Sequence, residues 1–154
     1  MKQGFVKVAS ATPRIRVADP VYNAQVICEQ AKEAAEHGAK IVVFPELCIT
    51  GYTCNDLFLQ ALLLEKAKEA LLTIAEETGQ LETLFLVGLP VDKDGRLYNV
   101  AAVLYRGRIL GMIPKKNIPM YAEFYEGRHF TPGEETVTEY RLGKQVIPFG
   151  SNLL

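Results

Sequence analysis

The sequence predicts an α/β fold built on a mixed sheet. Three observations predict it: strand-like and helical stretches alternate as β-α-β-α-β up to Leu89, turn signals with glycine then separate two further strands, and one of the early strands is a continuous β-branched and aromatic run. The chain has 154 residues, 49% of them apolar, enough for a single domain with a real core.

Phe5 to Ala11 reads as a short, mostly buried strand. Asp19-Pro20 supplies a cap followed by proline at the first helical position. Val21, Ala24, Ile27, Ala31, Ala34 and Ala35 then keep helical spacing until His37-Gly38 stops the helix. Ile41-Val42-Val43-Phe44 predicts a strand covered on both faces, ended by Pro45. Asn55 or Asp56 is a candidate cap for a long helix through Leu57, Leu62, Leu64, Ala67, Leu71, Leu72 and Ile74, which stops near Gly79. Leu84 to Leu89 is a third strand, and parallel strands with crossover helices follow from this order.

Asp92-Lys93-Asp94-Gly95 then makes a turn, Leu97 to Tyr105 a strand, and Arg106-Gly107 a second turn into Arg108 to Ile113. The last two strands form an antiparallel hairpin, so the sheet is mixed. From Pro114 to Gly133 the chain is polar, aromatic and irregular, and a weaker strand signal returns at Gln145 to Phe149. Val146-Ile147-Pro148-Phe149 and Leu153-Leu154 predict an exposed apolar end, which reads as truncation.

The composition narrows the partners. A formal net charge of −1 gives no basic excess for phosphate contacts, which argues against nucleic acid and against a polybasic membrane surface. No window reaches the roughly 18 uninterrupted apolar residues that a membrane span needs. Met1-Lys2-Gln3-Gly4-Phe5 runs straight into a strand and has no signal-peptide core. Three widely spaced cysteines make no disulfide framework, and a reduced, soluble, cytoplasmic protein is the expectation.

Two strand ends carry unusual residues, and in α/β sheets chemistry gathers at such ends. Glu46 follows a buried strand, where burial would raise its pKa and suit it to general-base work. A solvated glutamate capping the next segment explains the same position. Lys115 and Lys116 follow the hairpin; a lysine there would neutralise an oxyanion, or the two are a plain exposed pair. Cys28, Cys48 and Cys54 read as small packed residues. Cys48 and Cys54 lack metal-ligand spacing, His37 and His129 join no ligand cluster, and His37 suits a helix C-terminus, so no metal is expected.

Phe44-Pro45-Glu46-Leu47, Thr50-Gly51-Tyr52, Pro114-Lys115 and Tyr121-x-Glu123-Phe124-Tyr125-Glu126-x-Arg128 together resemble the nitrilase, or carbon–nitrogen hydrolase, superfamily. The runs from Cys48 to Phe58 and from Tyr121 to Glu126 resemble more narrowly the glutaminase domain of bacterial glutamine-dependent NAD synthetases. The resemblance extends from Phe5 to the last residue and implies a nitrilase-type α-β-β-α sandwich, truncated here. Residues 1–154 would be the N-terminal portion of one such domain, without a synthetase domain. It further implies glutamine as substrate, Glu46 as general base, Lys115 as cationic stabiliser, Glu126 as a second supporting glutamate, and Tyr52 and Tyr121 at the glutamine pocket. The family's nucleophile is a cysteine on a later strand, beyond this sequence, so the chain alone is expected to be inactive. No cofactor is implied for this chain; ATP and magnesium belong to the synthetase domain. A homo-oligomer is implied as well. Another nitrilase-type amidase or carbamoylase, and a non-catalytic fragment or docking module, are the rival readings.

Overall fold

The computed structural model describes residues 4–122 and 124–153; Met1, Lys2, Gln3, Glu123 and Leu154, on which parts of the reading above fall, lie outside them. The described residues form seven strands in one sheet: β1 (Val8–Ser10), β2 (Ile41–Val43), β3 (Leu84–Lys93), β4 (Arg96–Tyr105), β5 (Arg108–Pro114), β6 (Thr138–Leu142) and β7 (Gln145–Phe149), ordered β1-β2-β3-β4-β5-β7-β6. Helices α1 (Pro20–Glu36) and α2 (Ala61–Glu77) make the crossovers. The β1–β2 and β2–β3 pairs are parallel, β3–β4 and β4–β5 antiparallel, and the sheet is mixed as expected. No helix of the described residues is long and apolar enough to cross a membrane.

α1 starts as the sequence dictates. Asp19 accepts the N–H of Tyr22 at 3.1 Å with Pro20 behind it, and His37 closes the last turn with its ring against the Glu33 carbonyl at 2.8 Å. The second helix starts elsewhere. Asn55 adopts φ 48° and ψ −130°, which breaks the run into a 3₁₀ segment, Tyr52–Leu59, and α2 begins after Gln60. Neither Asn55 nor Asp56 caps it. The shift changes the buried face too: Leu63 is buried and Leu62 is 71% exposed.

One face of the sheet carries the core. Phe85, Val87, Leu89 and Val91 on β3 and Tyr98, Val100, Ala102 and Leu104 on β4 alternate inward, where Ile27 and Ala31 of α1 and Leu71 and Ile74 of α2 cover them. Each fully buried large side chain contributes about 1.5–3 kcal/mol, so Phe85→Ala would break this layer most directly. The other face is less covered. Val43 is exposed there, and β2 is therefore covered on one face rather than two. β1 is a three-residue edge strand, not a mostly buried one: Val8 is 63% exposed, and Phe5, which lies before the strand, 80%. Among the described residues β1 pairs with β2 alone, and the core layer reaches the side of Ala9 and Ala11.

β3 runs past Leu89 through Pro90 and joins β4 by a tight turn with positive φ at Asp94 and Gly95. Arg106-Gly107 repeats that turn between β4 and β5. β6 carries only two buried residues, Tyr140 and Leu142, and gives too short a periodic signal to be read beforehand. Its pairing with β7 buries Ile147 and Phe149, while Val146 and Pro148 between them are exposed, so the stretch alternates and is only half the exposed end expected.

Candidate active site

The site sits on the less covered face, where three irregular segments meet. The first follows β2. Pro45 ends the strand and the chain folds across Gly88 of β3, so closely that a Cβ there would lie 2.4 Å from the Leu47 nitrogen. Only glycine permits this approach. Ile49 N–H donates to the Gly88 carbonyl at 3.1 Å, Leu47 and Ile49 are fully buried, and Glu46 is left facing outward. The second segment leaves β5 at Pro114: Lys115 N–H donates to the Asn99 carbonyl at 2.7 Å, which extends the β4–β5 ladder and fixes the lysine's base. The third is the short 3₁₀ turn Glu126–Arg128, which buries the Glu126 side chain to 6% exposure.

These segments bring four of the five expected residues together. Lys115 Nζ donates to Glu46 Oε1 at 2.7 Å and to both Glu126 oxygens at 2.9 and 3.0 Å. Tyr52 Oη donates to Glu126 Oε1 at 2.7 Å. Burial draws the Lys115 pKa down, but the two carboxylates outweigh it and hold the ammonium above its usual range. Glu46 differs from expectation: its side chain is 41% exposed rather than buried, because the loop that carries it turns it out of the core. Tyr121 also differs. It is 68% exposed and its ring meets Phe124 edge-on at 5.7 Å, outside the hydrogen-bonded group.

Two depressions flank Lys115. One, about 470 Å³, is a mainly apolar groove along the sheet past Glu46, Gly88, Asn99, Ala101 and Ile113. The other, about 340 Å³, is lined by Tyr52, Asp56, Tyr125, Glu126, Arg128 and His129. Phe58 and Phe130, buried in a small second core with Leu47, Cys54 and Leu63, floor it.

Sequence reasoning missed two groups here. Asn99, 4% exposed, donates its amide to Glu46 Oε1; an asparagine inside a β-strand pattern was the available signal. Asp56 binds Arg128 at 2.9 Å and His129 at 3.1 Å, which depresses its carboxyl pKa, first through the His129 hydrogen bond. His129 thus has a partner, although among the described residues no group of three or more His, Cys, Asp and Glu is placed to hold a metal.

The three cysteines are buried and free. Cys48 Sγ donates to the Gly88 carbonyl and burial pushes its pKa up to about 12; Cys28 rises to about 11 by burial, and Cys54, donating to Thr50, is raised as well. A thiol held protonated is a poor nucleophile. The arrangement therefore offers a carboxylate acceptor and a fixed cation that face a groove, without an activated thiol among the described residues.

Known proteins resemble this chain in sequence and in fold. The family model for carbon-nitrogen hydrolase matches residues 7–151. A glutamine-dependent NAD(+) synthetase of Mycobacterium tuberculosis is 39% identical over 153 residues, 99% of this chain and 22% of the relative. One of Thermotoga maritima is 36% identical over 135 residues, 88% of this chain and 23% of the relative. The chain thus spans less than a quarter of the length of these curated relatives. A crystal structure of a glutamine-dependent NAD(+) synthetase from Cytophaga hutchinsonii superposes with a TM-score of 0.87 at 29% identity, covering 94% of this chain and 25% of that one. An amidase from Nesterenkonia shares the fold at a TM-score of 0.70 and 23% identity, covering 94% of this chain and 56% of that one.

Proposed function

From the premise that this chain belongs to the carbon–nitrogen hydrolase family, we propose that it is the N-terminal portion of a glutaminase domain that releases ammonia from glutamine. The ammonia would feed a synthetase domain that amidates deamido-NAD. The observation that carries the reading is the single ammonium of Lys115 held between Glu46 and Glu126 at the edge of a groove.

In this reading a cysteine from outside the chain is the nucleophile, since all three cysteines present are buried and burial raises their pKa values. Glu46 takes the thiol proton and the sulfur keeps the electron pair. The thiolate attacks the side-chain carboxamide carbon, and the Lys115 ammonium stabilises the oxyanion that forms. Collapse breaks the C–N bond, Glu46 returns its proton to the departing nitrogen, and ammonia leaves. Water, deprotonated by the same carboxylate, attacks the thioester carbon; the C–S bond breaks, the proton passes from Glu46 to the sulfur, and glutamate leaves with the thiol restored. Glu126 anchors Lys115, and Tyr52 anchors Glu126.

Ammonia release from glutamine tests this. The chain alone is expected to release none above background, and the protein joined to a segment that bears the nucleophile is expected to turn over. Release by the chain alone that Cys48→Ala or Cys54→Ala abolishes would overturn the assignment of the nucleophile.

A further inference from the structure

We propose that Asn99 is the positioning residue of this site, spacing the base from the cation and selecting which oxygen of Glu46 takes the proton. Its side chain and its backbone act on different members of the pair. The amide nitrogen donates to Glu46 Oε1, while the carbonyl accepts the Lys115 N–H at 2.7 Å. One residue of β4 thereby fixes both groups, and it does so from a rigid place. The β4–β5 register pairs Val100 with Pro114, so the Asn99–Lys115 contact is the next step of the same ladder. β3 flanks Asn99 on the other side through Pro90.

The chemistry of the amide accounts for its burial. An asparagine 4% exposed in a strand is costly unless its amide is bonded. Here its donor is spent on a carboxylate whose loop makes no regular ladder of its own, which is where a fixed partner matters most. Glu46 also receives Lys115 Nζ, and both donors fall on Oε1. With Oε1 committed twice, Oε2 is the oxygen left to accept the thiol proton: the S–H bond breaks, an Oε2–H bond forms, and the pair of electrons stays on sulfur. The amide also blocks rotation that would exchange the two oxygens. This assignment rests on the reading of Glu46 as the base.

Two measurements separate the failure of the one from the failure of the other. In nitrogen–proton NMR of the 154-residue chain, the Asn99 side-chain amide, assigned by its loss in Asn99→Asp, is expected downfield of ordinary asparagine amides. Glu46→Gln should reduce that displacement, and Glu135→Gln, whose parent side chain pairs with Lys116, should leave it in place. An Asn99 signal indifferent to Glu46→Gln overturns the proposal whatever the activity. In the protein with its nucleophile, Asn99→Leu, matched in size, is expected to lower kcat for glutamine on the order of 10²-fold with little change in KM, as a misplaced reacting group does. Asn99→Asp, which sets a second acceptor against Glu46, should lower it further. Wild-type kcat in a folded Asn99→Leu protein would sink the positioning role. A wild-type protein that releases no ammonia would instead sink the glutaminase reading and leave the amide signal to decide Asn99 alone.

Discussion

Two lysines of this chain are built from the same parts and placed differently. Lys68 of α2 lies 3.0 Å from Glu65 and 2.7 Å from Asp92 of β3, beside the Tyr140 hydroxyl of β6. Lys115 lies 2.7 Å from Glu46 and 2.9 Å from Glu126, which in turn holds the Tyr52 hydroxyl. In both, burial lowers the amine's pKa and the carboxylates more than restore it, so each is held above its usual range. Electrostatics alone does not tell them apart. Location does: Lys68, 16% exposed, is drawn into the helix–sheet contact, whereas Lys115, 30% exposed, stands at the mouth of a groove. A perturbed amine is structural or functional according to what else can reach it.

Exchanging the two lysines for methionine is the broadest way to break this comparison. Lys115→Met is expected to cut ammonia release by about 10²–10³-fold, the usual loss for one oxyanion-stabilising group. Its melting temperature should fall as well, because Glu126, 6% exposed, loses the ammonium that compensates it. Lys68→Met should keep turnover while destabilising the fold by about 1–2 kcal/mol, a figure reduced for the solvent exposure of Glu65 and Asp92. Thermal unfolding and an ammonia assay on both variants check the split. Equal losses of activity would erase the distinction.

The pH dependence sharpens it. Both lysines have folded-state pKa values raised above the unfolded value of about 10.4, so their stabilisation is complete below that pH and is lost as pH rises through the raised folded value. Denaturant unfolding followed upward from neutral pH should therefore show an alkaline loss that Lys68→Met flattens. A smaller effect is expected at Lys115 itself. Glu126→Gln removes one of its two carboxylates, and the ammonium signal in NMR should titrate at lower pH than in the unaltered chain. The smallest belongs to the exposed Asp56 cluster: Asp56→Ala should free His129 from its partner with little change in melting, since such surface pairs contribute little.

Much of this was legible in the sequence, for identifiable reasons. The Asp19-Pro20 start of α1 and the Arg106-Gly107 turn carry their conformations in single residues, and the structure places both where they were expected. The start of α2 was not legible, because the positive φ of Asn55 is a local choice that helical spacing cannot reveal. β6 went unread because a five-residue edge strand with two buried positions gives almost no periodic signal. At the site, Glu46 and Lys115 stood out as charges at strand ends within spaced motifs. Asn99 offered only the weak signal of an asparagine inside a strand pattern, since its importance lies in a register between β4 and β5 and a loop folded over Gly88. The second lysine network was hidden for the same reason: Lys68 and Asp92 meet only across the helix–sheet contact.

The central claim is that Glu46 and Lys115 act as one unit on a carboxamide. The direct test is ammonia release from glutamine by Glu46→Gln, Lys115→Met and the double variant, each in protein that carries the nucleophile. Groups that act together are not additive, so each single change should bring turnover near background and the double change should add little. Single variants that keep most of the wild-type rate, or losses that multiply in the double variant, would contradict it.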